Sequence, residues 1–368
     1  MRLFPLRVIP MSVSLIPAVY SLDDFEQRAA ACIEPGFWAY LQGGAADEAT
    51  LRRNREAFAE IRLQGRVLAD LGGANTRCEL LGQTLSMPLL LAPVAAQRLV
   101  HADGERAVAE AAAAMGVGMA LSTSSSLSLE DVADVARSPW FQLYIQPDRD
   151  FTLQLVRRAE AAGYRALVLT VDAPVNGVRN REQRAGFQLP EAVNLRGMRV
   201  ALAKPAGILD SPLFDGRLSS APTWRDLDWL LGNTRLPVLL KGVSATADAE
   251  RAVQAGVAGL IVSNHGGRVL DGLPASIELL PRIAEQVGGR VPLLLDGGIR
   301  RGTDMLKALA LGAQAVLIGR PYVHALALGG AVGVVQLLNI LRGEFEAAMA
   351  LTGCATLADI DRGVLWQH

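Results

Sequence analysis

The feature that most constrains how this chain folds is a set of eight short, Leu- and Val-rich runs with no polar alternation: 88–93 (PLLLAP), 118–123 (GMALST), 140–145 (WFQLYI), 166–173 (ALVLTVDA), 237–242 (PVLLKG), 259–264 (GLIVSN), 291–297 (VPLLLDG) and 315–320 (AVLIGR). Strands covered on both faces of a parallel sheet read this way, whereas half-exposed antiparallel strands alternate. Stretches with apolar residues three and four apart lie between them, at 103–115, 129–136, 151–162, 245–255 and 302–311, and predict helices. Eight such units predict a closed (β/α)8 TIM barrel, with a doubly wound open sheet as the competing architecture.

Helices are also expected before the barrel, at 21–41 and 47–59, the first capped by Ser21 with Asp24, and after it, at 331–351. Residues 1–20 form an N-terminal extension and 21–368 a single domain. Successive runs begin 22 to 32 residues apart except the fourth and fifth, which begin 71 apart. The insertion, about 187–224, is a lid over the active site or a surface excursion.

The chain has 368 residues, 51% hydrophobic and 20% charged. With 36 Lys+Arg against 37 Asp+Glu, it has no positive excess for nucleic acid or a membrane surface. No run reaches the roughly 18 apolar residues of a spanning helix, so no membrane insertion is expected. The segment 1–10 carries two prolines and no continuous signal-like stretch, and Met11 is an equally good start. Cys32, Cys78 and Cys354 form no CxxC pair, which fits a reducing cytoplasm, and the four histidines fall in no metal-ligand spacing, so no metal is expected.

In a TIM barrel the chemistry gathers where strands end. Gly297, Gly298 and Arg300 follow the seventh run and Gly319 and Arg320 the eighth. Glycines admit backbone N–H groups to a phosphate and arginines grip it. His265 is the only histidine directly after a strand, and Asp172 ends a strand two positions away around the barrel, giving a base and its orienting carboxylate. Arg179 and Arg268 follow that pair closely and can bind a carboxylate. Lys241, closing an apolar strand, needs an anionic partner; it serves either a Schiff base or a negatively charged cofactor ring.

The segments 40–45 (YLQGGA), 91–93 (LAP), 141–144 (FQLY), 169–174 (LTVDAP), 240–243 (LKGV), 263–268 (SNHGGR), 296–300 (DGGIR) and 319–320 (GR) together resemble the FMN-dependent α-hydroxy acid oxidase and dehydrogenase family, from about Tyr20 to Ile360. The resemblance implies FMN as cofactor and oxidation of an (S)-2-hydroxy acid to the 2-oxo acid. It makes His265 the base, Asp172 its support, Arg179 and Arg268 the carboxylate clamp, with Tyr40 assisting the clamp and Tyr144 beside the reacting hydroxyl. Lys241 lies at the flavin N1/O2 edge. The other flavin contacts it implies are Pro93, Val94, Ala95, Ser122, Gln142, Thr170 and Ser263, with Asp296, Gly298, Arg300, Gly319 and Arg320 around the phosphate. It also implies a homotetramer.

Three departures from the family pattern bear on the substrate. Ser124 stands where glycolate-type members have tryptophan, which widens the pocket, and Asn176 replaces an aliphatic wall residue, which favours a polar or aromatic substituent. The run 177–181 (GVRNR) leaves Arg179 or Arg181 to supply the clamp, the offset from Asp172 favouring Arg179. Ala95 points to oxygen as acceptor, with a quinone or other carrier as the alternative; hydride and carbanion routes both remain open. The competing functions are an FMN barrel isomerising or reducing a phosphorylated metabolite and a flavin-binding interaction protein.

Overall fold

The computed structural model describes residues 15–198, 211, 214, 218 and 221–366. Met1, Met11 and much of the 187–224 insertion lie outside the described residues. Before the barrel come α1 (Leu22–Ala29), α2 (Pro35–Gln42), α3 (Ala49–Glu60) and an antiparallel hairpin, β1 (Cys78–Leu80) with β2 (Gln83–Leu85). The barrel strands are β3 (Leu89–Leu91), β4 (Gly118–Ser122), β5 (Trp140–Leu143), β6 (Ala166–Thr170), β7 (Val238–Val243), β8 (Gly259–Val262), β9 (Leu293–Asp296) and β10 (Ala315–Ile318). All eight pair in parallel, each with the next, and β10 closes on β3. The (β/α)8 expectation therefore holds and the open sheet does not.

Each run is apolar throughout because both faces of the strand are buried, and parity divides the two. Leu89 and Leu91 pack outward under the helices, while Leu90 faces the axis with Trp140, Leu239, Ile261 and Leu294. The hairpin, which sequence reading did not foresee, adds Leu80 and Leu85 to this inner cluster. Its Cys78 Sγ reaches Gln314 O, one residue before β10, at 3.7 Å, so it closes the end of the barrel where strands begin.

The expected helices appear as α4 (Gly104–Met115), α5 (Leu129–Ala133), α6 (Arg149–Ala161), α9 (Thr246–Ala255) and α11 (Gly302–Ala310). Three others complete the set: α7 (Asn180–Arg184), α8 (Trp224–Gly232) and α10 (Ser276–Val287). The 21–41 prediction divides into α1 and α2 because Pro35 has no N–H to continue a helix and starts a new one instead; the Ser21/Asp24 capping box is present. The 331–351 helix is the second arm of α12 (Arg320–Leu351), broken at Gly329–Gly330. Among the described residues only α12 has the length and apolarity of a bilayer span. It packs instead against α1, α4 and α11.

Leu90→Ala empties part of a fully packed inner layer and should cost about 2–5 kcal/mol of stability, read as a lowered midpoint in chemical denaturation. Val67→Ala, at an exposed position, should leave it within roughly 0.5 kcal/mol.

Candidate active site

Parity that puts Trp140, Val168, Leu239, Ile261 and Leu294 on the axis puts the residue two further along each strand there too. Those residues are Gln142, Thr170, Lys241, Ser263 and Asp296, a buried polar layer above the apolar one. It floors a cavity of about 930 Å³ at the strands' C-terminal ends. Every site residue read from the sequence lines this cavity, from Tyr40 through Arg320, including Pro93, Val94, Ala95, Ser122 and Ser124.

Lys241 Nζ lies 2.8 Å from Asp296 Oδ2 and donates to Ser263 Oγ at 3.0 Å. Burial pulls its pKa down, but the charges of Asp296 and Asp172 outweigh that and hold it above the ordinary lysine value. A Schiff base requires a neutral amine, so the ammonium role is the one the geometry supports. Asp296, expected near the phosphate, lines the cavity and is this lysine's partner through Oδ2. Gln142 spans the strand ends, accepting from Thr123 N–H at 3.1 Å and donating to Thr170 Oγ1 at 3.1 Å.

His265 Nδ1 and Asp172 Oδ1 are 2.9 Å apart. Burial pushes the Asp172 carboxyl up, yet His265 and then Lys241 overcome it and hold the group below its ordinary 3.8. Its grip on His265 is therefore present above that pH and is lost only as the pH falls through the lowered value. Space for Asp172 comes from a break in β7: the register shifts between Lys241 and Val243, and Gly242 sits at φ +106°. A Cβ there would lie 2.5 Å from Asp172. His265 itself has φ +57°, fixed by its N–H donating to Ser263 Oγ at 3.0 Å. Asn264 beside it exchanges two amide hydrogen bonds with Asn54 of α3, at 2.8 and 2.9 Å.

The last turn of α2 organises two guanidiniums. Arg268 Nη1 donates to Tyr40 O at 2.6 Å and Gly43 O at 2.8 Å; Arg320 Nε donates to Leu41 O at 2.7 Å and Nη2 to Gly43 O at 3.2 Å. Burial, then the charges of Arg268 and Arg300, push Arg320 down to about 9, the mark of a cation awaiting an anion. Arg179 and Arg268 flank the Tyr40 ring, 5.7 and 4.7 Å from its centroid. Arg181 pairs with Glu48 and does not line the cavity, so Arg179 is the arginine that faces it. Arg179 is engaged within the protein, by Glu182 at 2.8 Å and Asn176 Oδ1 at 3.0 Å. The Asn176 amide oxygen thus faces an arginine, a partner not foreseen for it. Glu182 was missed altogether, although its i,i+3 spacing from Arg179 was the available signal. Burial raises Tyr144 well above an ordinary phenol, so it keeps its proton.

A family model described as FMN-dependent dehydrogenase matches residues 29–367. The chain belongs to this family. As an FMN-dependent dehydrogenase it is 50% identical to an L-lactate oxidase of Alicycliphilus denitrificans over 355 residues, 95% of this chain and 97% of the relative. Glycolate oxidase 1 of Oryza sativa subsp. indica is 46% identical, over 95% and 96% of the two chains. A crystal structure of mandelate oxidase with benzoyl-formic acid superposes with TM-score 0.86 at 43% identity, over 95% of this chain and 98% of that one. This FMN-dependent dehydrogenase is thus an oxidoreductase of the 2-hydroxy-acid oxidases, as the resemblance implied. Its cavity fits FMN: Arg300 Nε and Asp296 Oδ1 are buried without a hydrogen-bond partner, Arg320 begins α12, and a Cβ on Gly298 would strike Asn54 O at 1.9 Å, so only glycine keeps this turn.

Arg320→Met should weaken FMN binding roughly 10- to 150-fold, the worth of a charge-assisted bond of about 1.5–3 kcal/mol. Titration by flavin fluorescence should show riboflavin, which lacks the phosphate, binding equally to both proteins.

Proposed function

We propose that this enzyme oxidises small (S)-2-hydroxy acids to 2-oxo acids and passes the electrons to O2. The observation that carries the reading is the His265–Asp172 pair, 2.9 Å apart, in one cavity with the half-buried Arg268. The acid's carboxylate seats on Arg268, with Tyr40 and Arg179 beside it, and this places the substrate's C2 hydroxyl within reach of His265. His265 takes a proton from the substrate while Asp172 holds its ring orientation and stabilises the imidazolium that forms. Tyr144 donates a hydrogen bond near the reacting hydroxyl. FMN supplies the two-electron acceptor. Gly297, Gly298, Arg300, Gly319 and Arg320 would hold its phosphate, Lys241 would stabilise the negative charge of its reduced ring, and Pro93, Val94, Ala95, Ser122, Gln142, Thr170 and Ser263 would hold the remainder.

Ser124 leaves space for a substituent on C2, and Ala95 favours oxygen as acceptor. The described ends of the insertion, through Leu195 and Trp224, line the cavity and support its role as a lid. A homotetramer and a cytoplasmic location complete the proposal. The three cysteines are unpaired, which accords with the latter. Sizing chromatography of the FMN-loaded enzyme tests the tetramer.

The test is anaerobic mixing with glycolate, (S)-lactate and (S)-mandelate, followed by air. Flavin bleaching by at least one acid and recovery of the oxidised spectrum within turnover times are expected; recovery far slower than turnover rejects O2. His265→Ala should keep FMN bound while flavin reduction slows roughly a hundred- to ten-thousand-fold. Gly242→Ala should slow the same step by displacing Asp172, with FMN affinity kept.

A further inference from the structure

We propose that Glu182 restricts this site to singly charged acids, so that 2-hydroxy monocarboxylates are accepted and 2-hydroxy dicarboxylates rejected. The inference rests on the hydroxy-acid reading above and deepens it. It comes from the balance of charge around Tyr40. Two guanidiniums flank that ring, but they are not equivalent. Arg179 carries its own counterion: Glu182 Oε2 lies 2.8 Å from Nη1, and the two side chains are only 16% and 22% exposed. Asn176 Oδ1 takes Nη2. Arg268 is different, because its hydrogen bonds run to the carbonyls of Tyr40, Leu41 and Gly43, which carry no charge. Among the described residues no carboxylate lies within ion-pair distance of it.

The other cation nearby is taken, since Lys241 pairs with Asp296, and Asp172, hydrogen-bonded to His265, adds a carboxylate rather than a cation. Beside Tyr40, Arg268 is therefore the guanidinium without a carboxylate of its own, and one substrate carboxylate balances it. With Arg300 and Arg320 given over to the FMN phosphate, a second carboxylate on the same molecule finds no free cation and meets Glu182, an anion that lines the same cavity. Repulsion between like charges is strong where water is excluded, and specificity is gained by obstructing the wrong ligand as well as by holding the right one. Glu182 is held for this by its surroundings: it lies on the single turn of α7, whose outer side is tied down by Arg181 to Glu48.

The experiment compares FMN-loaded wild type with Glu182→Gln, which keeps the shape and removes the charge. Flavin reduction by (S)-lactate and (S)-malate gives kcat/KM for each, and perturbation of the flavin spectrum gives Kd for propionate and succinate, which lack the hydroxyl. Wild type should prefer lactate and propionate. In Glu182→Gln the malate-to-lactate ratio should rise at least about tenfold, with the succinate-to-propionate affinity ratio moving the same way. Glu182→Asp, which keeps the charge, should retain the wild-type preference. An unmoved ratio in Glu182→Gln, or a wild type that uses malate as well as lactate, overturns the inference. Glu182→Ala gives the same two outcomes should the Gln variant fail to fold. If no hydroxy acid reduces the flavin, the function proposed above falls, while propionate against succinate still decides the role of Glu182.

Discussion

Half-buried arginines without carboxylate partners are the constraint on which the site depends. Arg268 and Arg320 are set into the protein with their charges solvated by backbone carbonyls, those of Tyr40 to Gly43 for both and that of Gly266 for Arg320 as well. A carbonyl dipole orients such a cation without neutralising it, so the site is left hungry for anions at two points. One point suits a carboxylate and the other a phosphate. A single turn at the end of α2 sets the spacing between them, and the loop after β8, which carries His265, is fitted against both.

The rest of the machinery repeats one geometric rule. Inward parity along each barrel strand gives an apolar residue near its start and a polar one two positions later. The apolar layer is closed tissue. The polar layer, from Gln142 to Asp296, begins where packing ends, and the loops beyond it need only place His265, Asp172 and the arginines above a floor that is already rigid. Residues on rigid elements hold their positions better than residues on loops alone, and here the loop residues are pinned back to that floor: His265 to Ser263, and Asp172 into the gap that Gly242 leaves in β7.

Much of this was legible beforehand because it is local. A strand buried on two faces shows in its own few residues, and so does the chemistry at its end; the eight runs and the residues lining the cavity were read on that basis. What stayed hidden depends on pairings across long stretches of chain. Asn264 could be read as part of a motif, but its partner Asn54 lies 210 residues away. The β1–β2 hairpin has three-residue strands, too short for periodicity to register. Arg320 was found from its place after a strand, whereas the carbonyls that hold it belong to the end of α2 and to Gly266, with no sequence signal linking them to it. Glu182 was within reach of local reasoning, since Arg179 stands one helical turn before it, but charged residues at that spacing are usually a solvated surface pair.

The hairpin under the barrel has a consequence for traffic. With that end stoppered by Leu80 and Leu85 against the inner layer, the barrel axis is plugged from below, and the cavity opens on the face where the strands finish. Reactant and product therefore come and go on the side that carries the loops, and the hairpin turns an eight-stranded cylinder into a cup.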